Sequence, residues 1–100
     1  MADAKLEKIQ RLVLCDRWRL ASHVLDEIEV GEVAKDEIQH ALLNGEIRRV
    51  QRDEKKVAVD GNKYVIRGRA PSGLPLETVG KIIKGEDGQE YFLISVYVSK

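Results

Sequence analysis

Four side chains of this chain suit chemistry best: His23, Glu27, Arg67 and Tyr97. Together they match the parts list of metal-free RNA cleavage. The 2′-hydroxyl must lose a proton, the leaving 5′-oxygen must gain one, and the phosphorane charge must be stabilised. A histidine moves protons near neutral pH. A carboxylate acts as base or orients the histidine, and an arginine holds a phosphate through two parallel hydrogen bonds. The 2′-hydroxyl makes such a reaction selective for RNA. His23 and Glu27 are four residues apart on one predicted helix, so they share a face. Each side chain also has an ordinary role open to it. His23 beside Ser22 can hydrogen-bond at a helix start, and Glu27 can sit on a surface. Arg67 can pair with a carboxylate across a sheet, and Tyr97 can simply pack its ring.

A second set is basic. Residues 1–46 hold six basic and ten acidic side chains, a net of −4, whereas residues 47–100 hold eleven and seven, a net of +4. The excess gathers at Arg48, Arg49, Arg52, Lys55, Lys56, Lys63, Arg67 and Arg69. A sheet with such a rim takes phosphates. The competing reading is a solvated edge strand that uses charge against aggregation.

The elements that must position these residues divide along the same line. Asp3 caps a first helix to about Leu14, with Leu6, Ile9, Leu12 and Val13 as its apolar stripe. Residues 16–19 form a short connection. Ser22 is the expected N-cap of a second helix, with Val24, Leu25 and Ile28 inward and Gly31 at its end. A third helix runs from about Ala34 to Leu43. Ile38, Ala41 and Leu42 face the core there, Asp36 and Glu37 sit in the first turn, and Asn44-Gly45 is the stop. Beyond Gly45 the period becomes that of strands. Residues 47–52 are taken as an edge strand, although Ile47 and Val50 do not fit a period of two. Val57-Ala58-Val59 is a strand ending at Asp60-Gly61. Residues 64–69 form the next strand, followed by a turn over Ala70-Pro71-Ser72-Gly73. Residues 74–84 make a long strand, in which Gly80 marks a bulge or bend. After a turn over 85–88, residues 91–98 are apolar on both faces and belong inside the sheet. The expected fold is α+β: two or three N-terminal helices packed on one face of a four- to five-stranded antiparallel sheet.

One hundred residues with 43% apolar side chains build one core, so one domain is expected over 1–100. Seventeen basic residues balance seventeen acidic ones, which excludes a disordered polyelectrolyte. The N-terminal segment lacks the apolar centre of a signal peptide, and no run is long enough for a membrane span. With the single cysteine, Cys15, this points to a cytoplasmic protein. Cys15 is expected to be buried or half-buried, His40 exposed, and Trp18 a lid on the core. One cysteine and two histidines do not supply four zinc ligands within one chain, so no metal or cofactor is expected. No phosphate-binding loop, dinucleotide fingerprint or nucleophile elbow is present.

Several segments carry a resemblance in their order and spacing. They are Arg19-Leu20-Ala21-Ser22-His23, then Glu37-Ile38 with Ala41-Leu42-Leu43-Asn44-Gly45-Glu46-Ile47, then Lys63-Tyr64-Val65-Ile66-Arg67-Gly68-Arg69 with a Pro-Ser-Gly turn, and finally Ile94-Ser95-Val96-Tyr97. Together these resemble the small bacterial family called domain of unknown function 4258 over residues 17–98, with residues 1–16 as an added N-terminal helix. The resemblance implies an α+β domain related to the RelE, barnase and colicin group of metal-independent ribonucleases. It also implies a toxin–antitoxin-like setting with a partner similar to zinc-ribbon antitoxins, and it places Arg67 near His23. The chain departs from the pattern at Glu27 and Glu29, where arginine is expected, and at Ala34, which replaces the serine or threonine that starts the next helix. Two functions follow as expectations: a ribonuclease that contacts RNA through Arg48, Arg49, Arg52, Lys63 and Arg69, or a non-enzymatic interaction domain. The second pairs with a partner or with itself through Trp18 and the edge strand at 47–52.

Overall fold

Asp3 opens the fold: its carboxylate accepts the backbone N–H groups of Lys5 and Leu6 at 2.9 and 3.2 Å, two donors a helix start leaves unpaired. The computed structural model describes residues 3–99. Three helices precede most of the sheet: α1 (Ala4–Leu14), α2 (Ser22–Glu29) and α3 (Lys35–Asn44). The strands are β1 (Trp18–Leu20), β2 (Glu46–Arg52), β3 (Asn62–Arg69), β4 (Pro75–Gly85) and β5 (Gly88–Val98), in the order β1-β5-β4-β3-β2. All neighbours are antiparallel except β1, which runs parallel to β5. The sheet is therefore mixed, not wholly antiparallel as expected. Trp18-Arg19-Leu20 is too short to show a period, and its partner lies some seventy residues away, so the segment reads locally as a connection.

The three helices cover one face. Ile9 and Val13 of α1, Val24 of α2 and Ile38, Ala41 and Leu42 of α3 are buried against Tyr64, Ile66, Leu76, Ile82, Tyr91 and Leu93. Such burial is the main favourable term in folding. Helix α3 approaches β3 so closely that a Cβ at Gly68 would lie 1.8 Å from the Ala41 carbonyl oxygen, and one at Gly45 would lie 2.7 Å from it. Ala34 offers no capping oxygen, but Glu37 Oε1 accepts the Ala34 N–H at 2.9 Å. At the other end Asn44 donates to the Arg69 carbonyl (2.7 Å) and accepts the Arg69 N–H (2.9 Å), clamping the helix to the end of β3.

Among the described residues no helix packs on the opposite face. Its middle is shielded by the 53–61 connection, held down by Asp53. That carboxylate accepts the N–H groups of Val57 and Ala58 at 2.9 and 2.7 Å and the Lys81 ammonium at 3.1 and 3.3 Å. The expected strand at Val57–Val59 is therefore a loop: Asp53 draws the backbone donors that a ladder would use, and only Val59 N–H bonds a strand, at the Ile82 carbonyl (2.8 Å). Ser22 is the first helical residue rather than a cap, with Ala21 before it, and Leu25 is exposed rather than inward. Cys15 is exposed, because it falls at the cap after α1 and points away from the stripe. Two bulges account for imperfect periods. The β2–β3 register shifts between Ile47 and Arg49, which explains the broken alternation of β2. The β4–β5 register shifts between Val79 and Gly80, with Ile94 unpaired on β5. Gly80 is required there, since a Cβ would lie 2.3 Å from the Tyr91 hydroxyl.

Candidate functional site

Alternation along paired strands sorts side chains by face. One row crosses the open face: Glu46 of β2 stands opposite Arg67 of β3, which stands opposite Glu77 of β4, which stands opposite Tyr97 of β5. An arginine between two carboxylates would ordinarily pair with one of them. Here each carboxylate has another cation nearby. Arg48, pushed out at the bulge, lies 3.7 Å from Glu46, and Arg49 lies 3.8 Å from Glu77. The Arg67 guanidinium makes no hydrogen bond or ion pair among the described residues.

Arg67 lines a cleft of about 430 Å³ together with Asn44, Gly45, Glu46, Arg48, Gly68 and Arg69. The walls carry three guanidinium groups and one carboxylate. Their placement follows from the fold. Gly45 and Gly68 let α3 lie on β3, the Asn44 clamp fixes the Arg69 backbone, and the bulge projects Arg48. The Arg69 guanidinium donates to the Gly73 carbonyl at 2.9 Å, which orients it. His40 is exposed, as expected, and its Nδ1 lies 2.9 Å from the same Arg69 carbonyl oxygen. Five N–H donors per arginine in a planar fork suit phosphate or carboxylate oxygens.

The other candidates fall elsewhere. His23 Nε2 lies 3.2 Å from Glu27 Oε1, so the expected pair forms on α2, with His23 exposed and Glu27 half-buried. Glu27 and Tyr97 share a cavity of about 290 Å³ with Glu32, Val33, Leu76, Val96 and Val98. Burial and the neighbouring Glu77 carboxylate push the Tyr97 phenol above its ordinary range, against the pull of Arg49. Three of the four residues thus gather at one end of the sheet, and Arg67 lines a different cleft. Arg67 and Tyr97 are two strands apart, roughly 10 Å between backbones. Of the basic set, Arg48 and Arg69 join Arg67. Arg49 and Lys63 project on the open face, and Arg52, opposite Asn62, is exposed on the other side of β2. Trp18 packs against the core with the Lys35 ammonium 5.3 Å from its ring centre, so it acts as a lid.

Sequence reasoning missed Asn44, Gly45 and Gly68 as parts of the site, because a helix stop and a strand glycine read as structure alone. It also missed the buried Asp53–Lys81 pair, whose partners are 28 residues apart with no local pattern. Hydrogen bonds from the Ala58 and Val57 N–H groups and from Lys81 outweigh desolvation and hold the Asp53 carboxyl down at about 2. Among the described residues no three His, Cys, Asp or Glu side chains cluster as metal ligands, and no helix is long and apolar enough to cross a membrane. No family model, curated protein or solved structure matches this chain.

Proposed function

We propose that this protein is an RNA-binding domain that grips the phosphodiester backbone through Arg48, Arg67 and Arg69. One observation carries the reading: a guanidinium flanked by two carboxylates stays unpaired while neighbouring arginines face those carboxylates. A bound phosphate would fill the vacant coordination of Arg67 and relieve the mutual repulsion of three cations. The open sheet face extends the basic surface through Arg49 and Lys63. RNA is the polyanion suggested by the resemblance to the ribonuclease-related family; the cleft itself suits the oxygens of a phosphate. The test is binding of labelled RNA by wild type and by the R48A/R67A/R69A variant, with EDTA present. Retained fold with binding reduced at least about a hundredfold is expected, given roughly 1.5–3 kcal/mol per hydrogen bond to a charged group. Unchanged affinity in a folded variant refutes the reading.

A second reading, a metal-independent ribonuclease of toxin–antitoxin-like type, is favoured by the His23–Glu27 pair beside Tyr97. His23 would move the proton, Glu27 would orient it, and Tyr97 would line the substrate's path. Cleavage of total RNA in EDTA by wild type, lost in H23A, is its expected result; no cleavage by folded wild type sinks it. A zinc-ribbon antitoxin-like partner belongs to that reading and is sought by copurification.

A further inference from the structure

We infer that the apolar groove on the open face of the sheet receives an unpaired nucleobase, making the domain selective for single-stranded over duplex RNA. This rests on the arginine cleft as the phosphate grip. The groove, of about 470 Å³, is floored by Ile83 of β4 and by Phe92 and Ile94 of β5, and walled by Val57 of the 53–61 loop, with Lys55 and Lys63 at its side and Glu54 at its rim. Phe92, Ile94 and Ile83 are half-buried, with no helix over them among the described residues. Asp53 and Lys81 also line the groove but neutralise each other beneath it, so neither offers a free charge to a ligand.

Two features select a base. First, the floor offers an aromatic face and aliphatic side chains, the surface on which unstacked bases sit in single-strand readers. The rim supplies donors in Lys55 and Lys63 and an acceptor in Glu54, matching the mixed edge of a base. Second, the groove lies on the same face of the sheet as Arg67 of the phosphate grip. Lys63, Val65 and Arg67 alternate onto the same face of β3, so the groove and the cleft are separated by four residues, roughly 13 Å along one strand. A ligand that fills both sites must carry anionic and flat apolar parts side by side. Single-stranded RNA does; a duplex keeps its bases stacked inside and presents only its backbone and groove edges.

The experiment measures binding of wild type, F92L and F92W to a labelled single strand and to a duplex of the same length. A single strand carrying 2-aminopurine reports stacking by fluorescence. Leucine keeps the floor apolar and removes the ring. Tighter binding of the single strand by wild type is expected, with about a tenfold loss in F92L, retention in F92W, and no change in duplex affinity. The 2-aminopurine signal should be quenched by wild type and F92W but not by F92L. Full single-strand affinity in F92L, or an equal loss for both RNAs, overturns the base site while leaving the arginine grip standing. Binding of neither RNA by wild type removes the grip itself, and the base site with it.

Discussion

The two faces of the sheet solve the same burial problem with opposite chemistry. Under the helices, burial is almost wholly apolar, and its one awkward group is the Tyr91 hydroxyl, buried without a hydrogen-bond partner among the described residues. On the open face the buried anchor is ionic. Asp53 and Lys81 are 4% exposed each and hold a loop rather than a helix. Apolar packing makes the covered side depend little on salt and anions, whereas the buried ion pair and the unpaired Arg67 make the open surface answer to pH, salt and anions. The proposed RNA grip lies on the open side, where an arginine rather than a buried hydroxyl is left without a partner.

The contrast can be broken most severely at Asp53. Asp53→Ala leaves two backbone N–H groups and a buried ammonium without their acceptor, and Tm should fall on the order of 15 °C or more. A small shift in calorimetry would mean that the open face needs no anchor. Gly68→Ala attacks the covered face by driving a methyl into the Ala41 carbonyl. A loss of roughly 10 °C is expected from overpacking, and an unchanged Tm would show that α3 is free to move off β3.

The pH dependence sharpens the same contrast more gently. Asp53 is depressed to about 2, so its contribution is complete above the ordinary carboxylate range and is lost as pH falls from about 4 toward 2. Tyr64, on the covered side, donates to Asp60, and burial with that carboxylate pushes its phenol up to about 12. Unfolding releases that proton more readily, so stability falls as pH rises from about 10 toward 12. Urea midpoints across pH should lose acid-side slope in D53N and some alkaline-side slope in Y64F. Slopes unchanged by either variant would detach both titrations from the faces assigned to them.

Much of this was legible in the sequence where local pattern suffices. The Asp3 cap, the α3 stripe at Ile38, Ala41 and Leu42, the Gly80 bulge and the edge position of β2 all follow from neighbours within a few residues. Trp18–Leu20 did not read as a strand, because its pairing is parallel and distant. Val57–Val59 read as one because β-branched residues signal strands when Asp53 is ignored. At the site, the arginines of Arg67-Gly68-Arg69 were visible as charge. That Arg67 would stay unpaired was not, since it depends on a bulge that carries Arg48 to Glu46 and on Arg49 reaching Glu77.

The central claim is tested most directly by the salt dependence of RNA binding in wild type and Arg67→Ala. If Arg67 holds a phosphate, the variant should bind about tenfold more weakly at low salt, and the slope of log affinity against log salt should shrink by about one ion. An identical slope and affinity in a folded variant would contradict the account, and would leave Arg67 an unpaired surface charge.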